Sequence, residues 1–290
     1  MTYRSIRYET KDRVATITLN RPERLNAIDL HMPREIRAAV ERAGRDDAIH
    51  VIVITGEGRA FCAGYDLLEY AETKGENPGV QSMPWDPTVD FRHMYQNTVD
   101  FQSLWRSHKP TVAKVRGYAV AGGSDIALSC DLVVMAEDAK IGYPPARVWG
   151  CPTTAMWVFR IGAERAKRML LTGDLVDGSE AKRMGLVADA VPEADLDLHV
   201  DTLARRMAAI PKNQLLMQKL VINQAYENMG LASTQVLATL CDGIARHTPE
   251  GLWFKARAEA VGFKQAVQER DGGAPIAPQA EKRVRVEPAD

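Results

Sequence analysis

Two stretches decide how this chain is read: FCAGYDL at residues 61–67 and GYAVAGGSDIALSCD at residues 117–131. The first lies just beyond the apolar run HVIVIT (50–55), and small residues punctuate the step between them. That order predicts a loop at the C-terminal edge of a buried sheet, where α/β folds bind their ligands. The second stretch reads as strand, small-residue turn and helix. Gly122 and Gly123 are expected there to adopt backbone conformations barred to other residues, and to let a ligand approach the main chain closely. Each stretch alone has a second reading, in which small residues only let a helix pack on a strand.

Outward from these loops, VATITL (14–19) reads as a strand that ends in the polar turn NRPERLN. A helix is expected next, with Asp29 as N-cap, Pro33 in its first turn and Ile36 and Val40 on its inner face, ending near Ala43. HVIVIT, a continuous apolar run, suits a strand buried on both faces. Further strands are expected at 111–115 and 132–135, giving the rhythm of ββα units. Residues 74–87 are broken by prolines and glycines and read equally as a specificity loop or a surface insertion. The core is expected over 1–196, an amphipathic helical region over 197–268, and a tail rich in Pro, Gly and charge, expected to be disordered, over 269–290.

Bulk properties narrow the function. Lys and Arg number 37 against 38 Asp and Glu, so no global positive charge is present to grip nucleic acid or an anionic membrane. The four cysteines are widely spaced without a CxxC pair, which fits a reducing cytoplasm rather than a disulfide scaffold. No apolar run has the length of a signal peptide or a membrane span. No cluster of His, Cys and carboxylates has metal-ligand spacing, so no metal is expected.

In this order, the two stretches resemble the oxyanion-hole segments of the crotonase (enoyl-CoA hydratase/isomerase) superfamily. NRPERLNAI (20–28) resembles the family's early CoA-contacting turn, and residues 162–192 resemble its later helical segment. The resemblance implies an α/β fold, a crotonase-like spiral of ββα units with a C-terminal α-helical oligomerisation region that makes homotrimers or hexamers. It places the oxyanion donors at the N–H groups of Ala63 and Gly122. Arg24, Leu25, Ala27, Tyr65, Asp66, Leu67, Tyr118 and Tyr143 would contact an acyl-CoA thioester substrate. Coenzyme A belongs to that substrate, and no further cofactor is implied. Two such donors stabilise a thioester oxygen more strongly as it becomes anionic than they do the neutral carbonyl.

Hydratases of this family hold a water between two glutamates. Asp125 stands at the first position, one methylene short, so its carboxylate would fall about 1.3 Å short. Pro145 stands at the second, and proline transfers no proton. Asp125 reads as the remaining catalytic acid/base or, being near a helix start, as a cap kept ionised by the helix dipole. Asp66 is expected to order the first loop through backbone amides. His93, His108 and Cys62 are weaker candidates. The expected function is enoyl-CoA hydration or isomerisation. Hydrolysis, decarboxylation, or silent acyl-CoA binding remain as alternatives on the same scaffold.

Overall fold

The computed structural model describes residues 2–273 except 76, 78 and 80. A six-stranded sheet runs in the order β1 (Ile6–Lys11), β2 (Val14–Leu19), β3 (Val51–Gly56), β4 (Thr111–Val115), β6 and β9. A smaller sheet of three strands contains β5 (Tyr118–Val120). β6 is Leu132–Ala136, β7 is Lys140–Gly142, β8 is Leu175–Asp177 and β9 is Asp189–Val191. In the large sheet only the β1–β2 pair is antiparallel. In the small one β5 and β7 are parallel and β7 and β8 antiparallel. All six residues of β3 are buried, as its unbroken apolar run requires for a strand covered on both faces.

The helices are α1 (Met32–Arg45), α2 (Pro87–Arg106), α3 (Gly122–Leu128), α4 (Met156–Thr172), α5 (Gly178–Met184) and α6 (Glu193–Ala208). α7 (Lys212–Asn228), α8 (Leu231–His247), α9 (Pro249–Val261) and α10 (Phe263–Asp271) follow. The N-cap of α1 is His31 rather than Asp29, but the Asp29 carboxylate, two residues earlier, accepts the N–H groups of His31 and Met32 and so satisfies donors at the helix start. Ile36, Ala39, Val40 and Ala43 then face the core on one stripe of the helix. α10 continues through residues 269–271, where the tail was expected to have begun, and the rest of that tail from 274 lies outside the described residues.

α8 is amphipathic with its polarity reversed. Gln235, Thr239, Asp242 and Arg246 are all buried, on one stripe, while Leu237, Leu240 and Ile244 are exposed. On the neighbouring α7, Met217, Leu220, Val221 and Ile222 are exposed as well. The helical region therefore turns polar side chains towards the loops it covers and an apolar surface outwards. No helix among the described residues is long and apolar enough to cross a membrane.

Three segments are laced into one unit at the C-terminal edge of the large sheet. Cys62 donates its N–H to Tyr118 and accepts at its carbonyl from Val120, while Ile28 donates to Gly64 and accepts from Asp66. α3 packs directly on this lacing, because a Cβ on Gly123 would meet the Cys62 carbonyl oxygen at 2.2 Å. Gly123→Ala is therefore expected to destabilise the protein by about 3 kcal/mol. Denaturant unfolding measures the loss, and circular dichroism should find the helix content unchanged.

Candidate active site

A cavity of about 300 Å³ opens beside the laced segments. Leu25, Ala63, Tyr65, Leu67, Tyr118, Gly122 and Tyr143 border it, so the chain brings seven of the sequence-identified residues to one place. Arg24 is exposed on the adjoining turn, while Ala27 and Asp66 are buried in the wall behind; none of the three borders the cavity. Asp66 accepts from the Leu68 amide, as expected, and also from the Arg21 guanidinium at 3.0 Å. Arg21 reaches on to the Ala27 carbonyl, so it is Arg21, not Arg24, that ties the early turn to the first loop.

The backbone amides correct one assignment. The N–H of Ala63 donates to the Leu25 carbonyl at 3.0 Å, so it is consumed by the lacing and is not available to a ligand. The Tyr65 N–H, two residues on, has no acceptor among the described residues, and neither does the N–H of Gly122. Gly122 opens α3, whose first amides have no partner within the helix by geometry. The two loops lie back to back here: a Cβ on Gly64 would stand 3.5 Å from the Gly122 nitrogen, and one on Gly122 would stand 3.1 Å from the Tyr65 ring.

A second correction concerns the dihedral angles. Neither Gly122 nor Gly123 adopts a positive φ. The unusual conformation belongs to Ala121, at φ 54° and ψ −126°, immediately before α3. Its N–H donates to the Gly142 carbonyl at 3.0 Å, which helps to hold the turn in that shape. Gly122 and Gly123 are small for space, because Ile28 and Tyr65 crowd one and Cys62 the other.

Asp125 is fully buried and does not border the cavity. Its Oδ1 accepts the Thr154 hydroxyl at 2.5 Å, so the carboxylate is turned to the loop before α4 rather than to the amides of α3. The expectation of an ionised cap is overturned. Burial pushes this carboxyl up to about 7, the Thr154 hydrogen bonds pull it down in part, and the charge of Asp242 raises it further. Tyr143 donates its hydroxyl to the Cys151 carbonyl at 2.8 Å, and the Asn97 amide donates to the Tyr65 hydroxyl at 3.3 Å. Burial raises both phenols far above their ordinary range, with the neighbouring carboxylates adding to the effect. Cys62 is buried, and burial drives its thiol up to about 12, which removes it as a nucleophile. Neither His93 nor His108 borders the cavity. No group of three His, Cys, Asp or Glu side chains among the described residues is placed to hold a metal ion.

Sequence reasoning missed the buried set Asp90, Asp242 and Arg246. Arg246 donates to Asp90 at 2.6 Å, to Asp242 and to the Gly79 carbonyl, and both Asp242 and Arg246 border the cavity. The available signal was the polar stripe of α8, Gln235, Thr239, Asp242 and Arg246, spaced as one face of a helix among apolar neighbours.

Residues 9–248 match the family model described as enoyl-CoA hydratase/isomerase. The chain belongs to that family, within the crotonase superfamily. A protein named "Probable enoyl-CoA hydratase echA8" from Mycobacterium bovis is 33% identical over 235 residues, covering 79% of this chain and 84% of the relative. A crystal structure of an enoyl-CoA hydratase from Mycobacterium smegmatis superposes with a TM-score of 0.87 at 49% identity, over 93% of this chain and 94% of that one. A second, of an enoyl-CoA hydratase/isomerase from Xanthobacter autotrophicus Py2, gives 0.86 at 31% identity, over 94% and 100%. The crotonase-like fold with its C-terminal helices is thus as the sequence implied.

The charge state of Asp125 has a measurable consequence. Unfolded, this carboxyl releases its proton near its ordinary 3.8, whereas folded it keeps the proton to about 7. The folded state therefore binds the extra proton between those values, and this group's contribution to stability falls as pH rises through that window and levels off above it. Asp125→Asn is neutral throughout and removes the fall. Calorimetry from pH 4 to pH 8 should show the Tm of the variant gaining steadily on the parent up to about pH 7, with a constant gap beyond.

Proposed function

We propose that this protein acts on an acyl-CoA thioester as an enzyme of the hydratase/isomerase type, with the thioester oxygen held by the N–H groups of Tyr65 and Gly122. The observation that carries the reading is this pair of amides, one on each loop, without acceptors among the described residues and at residues that border a single cavity. As the oxygen becomes anionic, preorganised donors of this kind lower the barrier, and losing one typically costs about 3–4 kcal/mol. The positive end of α3 adds to the same field. Most of the wall is apolar, from Leu25, Leu67, Met94, Val120 and Trp149, which excludes water and strengthens these interactions.

At about 300 Å³ the cavity matches the low end of small-ligand sites, room for an acyl group and thioester but not for the whole coenzyme. The nucleotide would then lie outside, where Arg24 is exposed beside Leu25 and can meet a phosphate. Asp125 enters this reading three residues after the oxyanion amide as a buried positioning group, its carboxylate bonded to Thr154 behind the cavity wall. The reading requires no cofactor besides the coenzyme A that the substrate carries.

The outward apolar face of α7 and α8 supports self-association, in the trimers or paired trimers that the family resemblance implies. Leu237 is 61% and Val221 71% exposed, and exposed apolar side chains grouped on neighbouring helices are a common mark of a protein interface. The double variant Val221→Asp, Leu237→Asp should shift the mass in light scattering from oligomer to monomer.

The activity itself is checked with crotonyl-CoA and longer enoyl-CoAs, following loss of the conjugated thioester absorbance. The parent should consume at least one of them, and Asp125→Ala, which breaks the bond between α3 and Thr154, should lower kcat by about tenfold through misplacement of the Gly122 amide. Tight binding of the esters with no turnover by the parent would establish a binding protein instead.

A further inference from the structure

Pro145 occupies the position where the family resemblance leads one to expect a carboxylate, yet a carboxylate stands beside it, delivered by another part of the chain. A Cβ built on Gly150 would meet Pro145 Cβ at 3.2 Å, Asp242 Oδ1 at 3.3 Å and the Tyr143 hydroxyl at 3.4 Å, so the three groups cluster around Gly150, and all three border the cavity. Asp242 comes from α8, far from the oxyanion loops in sequence. We propose that Asp242 is the acid/base that exchanges a proton with the reacting atoms, in place of the carboxylate that Pro145 cannot supply. The proposal rests on the acyl-CoA reading above.

Three features favour Asp242 over the other carboxylates nearby. It borders the cavity, whereas Asp125 and Asp90 do not. Asp271 borders it too, but is exposed at the end of α10 and paired with Arg147 and Arg270. Asp242 is also held rigidly: Oδ1 accepts the Cys151 N–H at 2.9 Å and Oδ2 the Arg246 guanidinium. Those bonds occupy two of about four acceptor sites of a carboxylate, leaving capacity for a water or substrate proton. Arg246 cannot swing away, because Asp90 and the Gly79 carbonyl hold its other nitrogens, and Asp90 packs against α8 only because residue 243 has no side chain. A Cβ there would meet Asp90 Oδ2 at 2.1 Å.

In hydration, the Asp242 carboxylate takes a proton from water as the water oxygen bonds to C3 of the enoyl group. The C2–C3 π pair moves onto the thioester, leaving an enolate whose negative oxygen faces the two amides. The enolate returns the pair to C2, which forms its C–H bond with the proton held by Asp242. The sum is addition of H and OH across the double bond, with the carboxylate regenerated. In double-bond migration the same carboxylate removes one carbon-bound proton and returns it two carbons away. Neither course needs a second carboxylate at the cavity wall.

The test uses the full chain and its Asp242→Asn, Asp242→Glu and Asp90→Asn variants. Crotonyl-CoA turnover is followed together with exchange of the C2 hydrogen of the hydrated product in heavy water. Asp242→Asn should lower kcat at least about 100-fold, leave KM within about threefold and abolish the C2 exchange. Asp242→Glu should recover part of the exchange. Asp90→Asn disturbs Arg246 but removes no carboxylate from the cavity wall, and should lower Tm while retaining exchange. An active parent whose Asp242→Asn variant keeps kcat within about threefold would overturn the proposal and leave the acyl-CoA reading intact. Parallel loss of exchange in Asp242→Asn and Asp90→Asn, with none regained by Asp242→Glu, would assign Asp242 a structural role and also overturn it. A parent that binds the esters yet shows neither turnover nor exchange would sink both.

Discussion

The lacing of residues 61–66 between two other stretches of backbone is the constraint on which the site depends. Cys62, Ala63, Gly64 and Asp66 spend their main-chain polar groups on Tyr118, Val120, Leu25 and Ile28. A buried backbone group left unpaired is costly, so nearly every amide here is taken. The N–H groups of Tyr65 and Gly122, which have no acceptor among the described residues, lie at the edge of a cavity and are the donors of the proposed chemistry. Rigidity follows from the same bonds. Electrostatic stabilisation of a developing charge is effective only when the donors are already in place, and neighbours bonded on either side hold these two there.

That arrangement requires three backbones to pass within van der Waals contact, and side-chain size at a few positions is what allows it. Gly123 faces the Cys62 carbonyl, Gly64 faces Ala121, and Gly122 faces Ile28 and Tyr65, with no room for a Cβ in any of the three. The dihedral strain falls on Ala121 instead, held by its bond to Gly142. Strain of this kind persists only where surrounding structure over-determines the backbone.

α8 couples the helical region to the site. Its buried polar stripe reaches three segments of the cavity wall: Gln235 to the Thr154 carbonyl, Asp242 to the Cys151 amide, and Arg246 to Asp90 and the Gly79 carbonyl. Thr154 in turn bonds Asp125, so the helical region and α3 meet through one residue. A buried ion cluster of this kind gives little net stability once desolvation is counted, and its removal in part is expensive. It fixes geometry, and the apolar residues displaced from the interior form the outward face of the same helix.

Local periodicity and turn chemistry were sufficient to read most of the elements. The unbroken apolar run of β3, the apolar stripe of α1 and the amphipathic helices from residue 197 onward were legible because each signal lies within a dozen or so neighbouring residues. The two small-residue loops pointed to the family, and the family model bears that out. Sequence could not say which amide stays free, because that depends on whether Leu25 or a ligand reaches it, a matter of partners distant along the chain. It gave Ala63 and an ionised Asp125, where the fold spends the first amide and buries the second group until it holds its proton to about 7. It also passed over Asp242, whose position beside Pro145 exists only because α8 folds back across the cavity. Hydrogen-bond partners and local dielectric are properties of the assembled interior, and no window of sequence contains them.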